Sequence, residues 1–432
     1  MARGFAARGM ATVHAAAEAI RRASAGSWAL VVTLALSLLL GSGSGIAGAA
    51  DCGGLRPCSC GDRVVEDYQL TGPLGPCAGD GLRMVAGVTL NGGGHAIRGV
   101  GRKSGVVLDE GSHGAVVRNL HVTGFYRGVR LAGVRGATVQ DVRSWSNGNF
   151  EKHAGYGIEF ARGASGNRVV GVEVHGNADE GIHIGTDANR NVIDSAKVAD
   201  NFREGIYFLE NSGNRVENSE IRGGGAAAAY IKFARGTVLR NNHILERPVQ
   251  LRGSSDEVVL EGNRLERASV IFEPFQGVAP RGVTIRGGRI ESPGGACVRV
   301  RGAREVRVED VAMQCRPSVS VDEGSTVAVA GAAGARVQCR GSGSVTFDLP
   351  AGVRFVDENG NGVEGVSVEG PGGRELARSD REGALTDPVP MRVVTCPGRN
   401  ESAPVLRLRK GSWNQEAGAA TLRKGIVLVP GG

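Results

Sequence analysis

The stretch Arg168–Arg222 reads RVVGVEVHGNADEGIHIGTDANRNVIDSAKVADNFREGIYFLENSGNRVENSEIR and contains three copies of one pattern. In each copy an apolar residue is followed two places later by Gly, Ser or Asn, and five places later by a second apolar residue. The copies begin at Val169, Ile193 and Val216, at spacings of 24 and 23 residues. Such regular spacing indicates one structural unit that repeats along the chain.

The pattern extends in both directions and gives nine units at spacings of 22, 30, 24, 23, 23, 21, 25 and 23 residues. Only the second unit, which has Ser144 in the place of the fifth-position apolar residue, departs from the rule. The third position of every unit holds a turn-forming residue: Asn119, Asp141, Gly171, Ser195, Asn218, Asn241, Gly262, Gly287 and Asp310. Gly adopts left-handed backbone geometry freely and Asn and Asp tolerate it, so the pattern predicts a sharp bend in each unit.

The segments around each bend are three to five residues long and alternate between apolar and polar residues. Alternation of this kind is typical of short β-strands with one buried face. Units of about 23 residues that make short strands and stack on their neighbours predict an all-β parallel solenoid. Leucine-rich repeats have a similar period, but the chain lacks their L-x-x-L-x-L spacing and has no helical segment per unit.

Composition agrees with this fold and excludes others. The chain has 432 residues, 70 of them Gly, with 41% apolar and 4% aromatic residues. Collagen needs Gly at about one residue in three in a strict triplet, which the sequence does not have. An apolar fraction this high also argues against disorder. The 51 basic and 44 acidic residues are interspersed, and without a basic block we expect no nucleic-acid partner.

The N-terminal segment and the cysteines predict export. An apolar run from Trp28 to Leu40 is too short to span a bilayer but fits a secretory signal peptide, which we place at residues 1–50. The alternative is an uncleaved N-terminal anchor. All eight Cys follow this segment, which favours disulfides, with zinc at Cys58 and Cys60 as the competing interpretation. We therefore expect a secreted or periplasmic monomer with no membrane span in the mature chain.

Two further stretches carry a family resemblance. The sequence from Cys60-Gly61-Asp62 to GVTLNGGGHAI at residues 87–97 is similar to the cap and first turn of right-handed parallel β-helix proteins of the pectate-lyase-like superfamily. The resemblance covers roughly residues 58–345. It implies a right-handed parallel β-helix, which we place at residues 85–345. The four clustered cysteines before it predict a Cys-rich N-terminal cap at residues 51–84, and the loss of the repeat after about residue 345 predicts a small β-sandwich-like C-terminal domain or cap at residues 346–432.

The strands that follow the turn loops place a polar residue between two inward apolar residues, as in Gly181-Ile182-His183-Ile184. Stacking of the turns predicts one outward column along the solenoid. The column consists of Arg130, Glu159, His183, Tyr207 and Lys232. A second outward group just before these strands consists of Tyr156, Asp179, Glu180, Arg203 and Glu204.

The column holds the residue types that a uronate-processing site requires. His183 or Tyr207 could remove the proton next to a sugar carboxylate, and Tyr207 or Glu159 could supply one. Arg130, Lys232 and Arg203 offer positive charge for the enolate that develops, while Tyr156, Arg203 and Glu204 are candidate substrate-binding residues. The stretch Gly155-Tyr156-Gly157-Ile158-Glu159 resembles the start of the mannuronan C5-epimerase signature, but Phe160-Ala161-Arg162 replaces its Pro-His-Asp continuation.

These residues and the resemblance lead to two hypotheses. The first is an exported polysaccharide lyase or epimerase that acts on an acidic polysaccharide by β-elimination or C5 epimerisation of uronate residues. The second is a non-catalytic cell-surface or glycan-binding solenoid, whose outward columns only solvate it. Glycoside hydrolysis is disfavoured because Asp179 and Glu180 form one adjacent pair, whereas hydrolysis needs two carboxyl groups at a set separation.

The sequence requires no cofactor, but the resemblance to acidic-polysaccharide lyases implies Ca²⁺. Asp179 and Glu180, together with Glu204, could hold the ion through hard oxygen ligands. The alternative is that these acidic residues lie on a solvated turn. A second acidic stretch, residues 357–362, resembles the opening of an EF-hand loop, but Val368 stands where the bidentate Glu is needed. We therefore predict a hairpin turn there, within a small β-domain that caps the solenoid.

Overall fold

A computed structural model describes residues 50–332, 335–349, 353–385, 387–397, 400–403, 405–417 and 426–429. The predicted signal peptide lies outside the described residues except for Ala50. In the described ranges every element is a strand apart from one short 3-10 turn at Pro371–Gly373. None of the helical structure in these ranges has the length and hydropathy of a membrane-spanning helix. The prediction of an all-β chain is confirmed.

The strands form a parallel β-helix of about 12 turns with three faces, which confirms the predicted solenoid. The first face, which we call sheet 1, has fourteen strands: Asp51–Cys52, Arg63–Val64, Leu82–Met84, Ser104–Leu108, Arg127–Ala132, Tyr156–Ala161, Ile182–Ile184, Ile206–Leu209, Ala229–Lys232, Val249–Arg252, Val270–Glu273, Val298–Arg301, Val319–Asp322 and Val337–Cys339. Each strand pairs in parallel with the equivalent strand of the next turn.

Two further faces complete each turn. Sheet 2 is built from Tyr68–Gln69, Thr89–Asn91, Val116–Thr123, Thr138–Trp145, Arg168–Val170, Val192–Asp194, Arg215–Glu217, Val238–Arg240, Val259–Glu261, Thr284–Arg286, Val306–Glu309, Ser325–Ala330 and Gly343–Asp348. Sheet 3 is built from Leu74–Cys77, Ala96–Gly99, the second halves of the two longest sheet 2 strands, Glu173–His175, Lys197–Ala199, Glu220–Arg222, His243–Leu245, Arg264–Glu266, Arg289–Ser292 and Ala312–Cys315.

The bend between sheets 2 and 3 falls at the third position of the sequence repeat. All nine predicted turn residues have a positive φ, between 50° for Asn119 and 63° for Gly171 and Gly262. This geometry turns the chain sharply within one residue, which explains why Gly, Asn, Asp and Ser occupy the position. The predicted bends are confirmed in every unit.

The interior of the β-helix is a stack of equivalent apolar residues. Ile158, Ile182 and Ile206 pair in register on sheet 1, and all three are fully buried. Parallel strands lie about 4.8 Å apart, so each side chain packs directly on its counterparts in the neighbouring turns. Small β-branched residues suit this thin core, which accounts for the low aromatic content.

A ladder of buried asparagines, absent from the sequence prediction, lines the corner before sheet 1. The Nδ2 atom of Asn147 donates to Oδ1 of Asn177 at 3.1 Å, and Nδ2 of Asn177 donates to Oδ1 of Asn201 at 2.9 Å. The same oxygens accept the backbone N–H groups of Asn147 and Asn177 at 3.1 Å. Because the asparagine of each turn accepts the hydrogen bonds that the asparagine of the preceding turn donates, the ladder fixes the loops that lead into sheet 1.

All eight cysteines form disulfides within the described residues, so the zinc alternative at Cys58 and Cys60 is wrong. The four pairs are Cys52–Cys58, Cys60–Cys77, Cys297–Cys315 and Cys339–Cys396. The first two confirm the disulfide-rich N-terminal region. The fourth joins the last strand of sheet 1 to the C-terminal part of the chain.

The C-terminal part contains a small antiparallel sheet, as predicted. Its four strands, in spatial order, are Glu375–Arg378, Ser367–Glu369, Leu406–Lys410 and Trp413–Ala417. Outside this sheet, Pro390–Cys396 pairs with Gly343–Asp348 and with Asn400–Ser402, and Arg354–Val356 pairs with Ile426–Leu428. Oδ1 of Asp357 accepts the N–H groups of Asn359 and Asn361 at 2.9 and 2.8 Å, which makes the predicted turn.

Candidate functional site

The predicted outward column exists over four strands of sheet 1. In the register of the sheet, Arg130 pairs with Glu159, Glu159 with His183, and His183 with Tyr207. Because each pair lies on adjacent strands, these four side chains share one face within about 15 Å. The sequence pattern therefore placed them correctly relative to one another.

The fifth predicted member, Lys232, does not belong to this column. Tyr207 pairs with Tyr230, and Lys232 pairs with Leu209, two positions further along the strand. The prediction was wrong because it took Ile231 and Phe233 as the inward residues, whereas Ala229 and Ile231 point inward. Tyr230 is thus a column residue that sequence reasoning missed, since a small Ala gives a weak inward signal.

Glu159 is held by two arginines. Its Oε2 atom lies 2.7 Å from Nε of Arg127 and 3.0 Å from Nε of Arg130. Its side chain is only 9% exposed, so these ion pairs fix it in place. A carboxylate that pairs with two guanidinium groups does not suit the predicted role of Glu159 as a proton donor. Two arginines and one carboxylate together leave one net positive charge, which the two guanidinium groups share. Arg127 was missed, although it precedes Gly128 in the position that Tyr156 occupies one turn later.

His183 lies between two tyrosines. Its ring stacks on Tyr156 with the centroids 4.4 Å apart and meets Tyr207 edge-on at 5.5 Å. Tyr207 in turn stacks on Tyr230 at 5.2 Å. The four rings contact one another in a continuous row along sheet 1, which we call the aromatic strip.

The two tyrosines next to His183 stay protonated at neutral pH. Burial, followed by the charge of Glu180, raises the pKa of Tyr156 well above its ordinary value. Burial, followed by Tyr230 and Glu180, raises the pKa of Tyr207 in the same direction. A phenol that keeps its proton can donate but cannot serve as a base. Of the two predicted bases, the geometry therefore favours His183.

Three buried carboxylates meet beside His183. The carboxylates of Asp179, Glu180 and Glu204 each offer an oxygen within 4.8 Å of the others, the one such group among the described residues. Arg203 contacts all three, with Nη1 3.2 Å from Oδ1 of Asp179 and 3.6 Å from Oε1 of Glu180, and Nε 3.6 Å from Oε2 of Glu204. The structure thus brings together every residue of the second predicted group, and we call Asp179, Glu180 and Glu204 the acidic cluster.

The single guanidinium group of Arg203 does not balance the three carboxylates of the acidic cluster. Burial, followed by the charge of Glu180, raises the pKa of Asp179 to about 7 despite the opposing effect of Arg203. Burial also raises the pKa of Glu204, against the effect of Arg203. Carboxylates are buried together at such a cost when a cation or a proton shares the site.

Calcium fits this donor set. Two oxygen ligands of one Ca²⁺, each about 2.5 Å from the ion, can lie no more than about 5 Å apart, and the acidic cluster meets that limit. Oε2 of Glu180 and Oε2 of Glu204 are buried, and neither has a hydrogen-bond donor in the described part of the chain. The alternative of a solvated turn is wrong, because all three carboxylates are buried.

A loop contact reaches the segment that carries Arg203 and Glu204. The ring of His153 stacks on Phe202 with the centroids 3.8 Å apart, and Phe202 and Phe150 are 47% and 52% exposed. Both His153 and Phe150 lie on residues 146–155, the insertion that lengthens one unit to 30 residues. That irregular spacing was the available sequence signal for this loop.

The comparisons with known proteins agree with the fold. Residues 156–313, less than half of the chain, match the family described as right handed beta helix region, and this range includes the whole of the acidic cluster and the aromatic strip. Together with the parallel sheets above, the match supports a right-handed parallel β-helix over these residues. No curated protein sequence matches the chain.

Three solved structures illustrate the likeness. The Dettilon tailspike protein has a TM-score of 0.51 at 13% identity, over 80% of this chain and 70% of its own. The periplasmic alginate epimerase AlgG has a TM-score of 0.45 at 14% identity, over 54% of this chain and 62% of its own. An alginate lyase from Paenibacillus sp. str. FPU-7 has a TM-score of 0.38 at 17% identity, over 59% and 98%. The chain thus spans less than two thirds of the epimerase, and identities this low establish a fold alone.

Proposed function

We propose that the protein is an exported enzyme that acts on an acidic polysaccharide, by β-elimination or C5 epimerisation of uronate residues on the face of sheet 1. One observation carries the proposal: His183 is held between the phenols of Tyr156 and Tyr207, beside a buried acidic cluster that fits Ca²⁺. Four disulfides support secretion or a periplasmic location, because such bonds persist in oxidising compartments.

Both reactions begin with removal of the proton next to the uronate carboxylate, and His183 is the proposed base. Its Nδ1 atom is buried 3.8 Å from Oε2 of Glu180, outside hydrogen-bond distance, and the proposal assigns the proton to Nδ1 and the accepting lone pair to Nε2. Nε2 would then accept the C5 proton, and the ring keeps its orientation because it is stacked on Tyr156.

Tyr207 is the proposed proton donor. In β-elimination its phenol would protonate the glycosidic oxygen as the C4–O bond breaks, whereas in epimerisation water would protonate C5 on the face of the sugar away from His183. Arg127 and Arg130, with one positive charge left after pairing with Glu159, would stabilise the enolate as charge develops on it. When bound at Asp179, Glu180 and Glu204, Ca²⁺ would supply positive charge for the uronate carboxylate.

The test is turnover of defined polymers by the mature protein. Alginate, polygalacturonate and a glycosaminoglycan are incubated with the protein and Ca²⁺, and the readouts are ultraviolet absorbance of unsaturated uronates and deuterium exchange at C5. We expect His183→Ala and Tyr207→Phe each to lower kcat by about a hundredfold or more. His175→Ala, which removes an exposed histidine of sheet 3, is the matched control and should leave kcat unchanged.

Activity that survives both substitutions together would contradict the assignment of these residues. Binding without turnover on any polymer would instead favour the second candidate, a non-catalytic cell-surface or glycan-binding solenoid. The observation that supports that candidate is Arg203, which contacts all three carboxylates and can be interpreted as a structural counter-ion.

A further inference from the structure

A second group of side chains lies on the face of sheet 1 beyond Tyr207. Lys232 and Arg252 occupy paired positions on adjacent strands, so their side chains leave the sheet side by side. Nζ of Lys232 lies 4.3 Å from the ring centroid of Phe275, and Cζ of Arg252 lies 4.8 Å from the same centroid. We call Lys232 and Arg252 the cation pair. The shared aromatic ring holds both cations in fixed positions.

The cation pair differs from the many arginines of the β-helix that form ion pairs with glutamates. On sheet 2, for example, Arg240 lies 2.6 Å from Glu261. Among the residues that the structure describes, no carboxylate oxygen lies within 4.0 Å of either Lys232 or Arg252. Glu273 is next to Arg252 in the sheet, but its Oε2 accepts a hydrogen bond from Gln250 at 2.8 Å.

The hydrogen-bond donors of Arg252 are only partly used. Its Nη1 donates to the phenol oxygen of Tyr230 at 3.2 Å, while its Nε is buried without an acceptor in the described structure. Two like charges on neighbouring strands repel each other, and a buried donor without an acceptor is unfavourable. The repulsion between the two cations is removed by one anionic group placed between the two side chains.

We propose that the cation pair binds an acidic group of a glycan chain, either a carboxylate or a sulfate ester, that lies along sheet 1. This inference rests on the proposed function for the path of the chain. Lys232 and Arg252 stand two and three strands beyond His183, or about 10 and 14 Å along the β-helix. That distance exceeds one sugar ring, so the acidic group belongs to a different sugar from the one that His183 deprotonates. Tyr207 and Tyr230 lie between these two positions on the face of sheet 1.

The test measures binding rather than turnover. Oligogalacturonates, sulfated chondroitin oligosaccharides and carboxyl-reduced, neutral oligogalacturonates are titrated calorimetrically into the mature protein in EDTA, which removes any contribution of Ca²⁺. We expect Lys232→Gln and Arg252→Gln each to weaken binding of an acidic oligosaccharide by about tenfold. Lys232→Arg should retain binding. Arg235→Gln removes an exposed arginine of the same turn that is paired with Glu257, and it should have no effect.

The outcomes separate this inference from the proposed function. Weaker binding in the two variants without turnover on any polymer would support the cation pair and reject the enzyme. Turnover with unchanged binding in both variants would support the enzyme and reject the cation pair as a binding site. An equal loss for the neutral oligosaccharides, or no binding of any acidic oligosaccharide, would overturn the inference. The preferred acidic oligosaccharide identifies the anion as carboxylate or sulfate.

Discussion

Replacing Asp179 by Asn should make the protein more stable at pH 8 and leave its stability unchanged near pH 4. The Asp179 side chain is only 8% exposed and belongs to the acidic cluster, where one guanidinium faces three carboxylates. Asn has nearly the same shape and can still accept the hydrogen bond from Arg203, but it carries no charge. The substitution therefore isolates the electrostatic cost of the ionised carboxylate.

The sign and size of this change in stability follow from the pKa of the Asp179 carboxyl group. Its pKa is 3.8 in the absence of the fold and about 7 in the folded protein, so the folded state binds the proton more tightly. The corresponding stability is fully present below pH 3.8 and is lost as the pH rises through 7. At 1.36 kcal/mol per pKa unit the loss is at most about 4 kcal/mol, and relaxation of Arg203 brings the expected range to about 2–4 kcal/mol.

The assay is thermal unfolding in EDTA from pH 4 to pH 8.5, at one scan rate, for the wild type and for Asp179→Asn. The difference in unfolding free energy between the two proteins should grow with pH and level off above pH 7. Added Ca²⁺ should stabilise the wild type at pH 8 more than it stabilises Asp179→Asn. A variant that is less stable by the same amount at every pH would refute this reasoning.

Two further predictions concern the scaffold. Asn177→Ala removes a buried side chain that accepts two hydrogen bonds and donates two. We expect the substitution to lower the free energy of unfolding by about 3 kcal/mol or more, measured by denaturant titration. A loss below about 1 kcal/mol would mean that the asparagine ladder is dispensable for stability. Asn241→Val places a β-branched residue at φ 52° and should lower the free energy of unfolding by about 1–2 kcal/mol, whereas Asn241→Gly should lower it less. Equal melting temperatures for the two variants would contradict the argument that the bend requires a positive φ.

The fold was predictable because a solenoid repeats one local rule. Each bend residue stacks on the bend of the next turn, so a single preference for positive φ recurs at a nearly constant spacing and becomes visible in the sequence. The column from Arg130 to Tyr207 followed from the same logic, since the register of sheet 1 fixes which outward residues are neighbours. Lys232, which lies two residues away from the predicted column position, shows the limit of this reasoning. Residues 226–229 are all Ala, and such a uniform run does not reveal which residue of the next strand points inward.

The contacts within the site were not predictable from the pattern. That Glu159 binds Arg127 as well as Arg130, and that Arg203 reaches three carboxylates, depends on side-chain rotamers and on loop geometry. The asparagine ladder did leave a signal. Asn147, Asn177 and Asn201 recur at spacings of 30 and 24 residues, the same as the units that contain them. A search for recurring polar residues, and not only for apolar ones and bends, would have found the ladder.

The ladder and the distribution of charge together give the strongest argument that sheet 1 is a binding surface. Asp179 and Glu180 follow Asn177 within three residues, and Arg203 and Glu204 follow Asn201 in the same way, so the hydrogen-bonded corner of the β-helix positions the acidic cluster. Many arginines elsewhere pair with glutamates across neighbouring turns. Sheet 1 instead has an excess of negative charge at the acidic cluster and, a few strands away on the same face, two adjacent cations with only Glu273 beside Arg252. A linear anion with a cation bound at one end would neutralise both, and a surface without a ligand gains nothing from either imbalance.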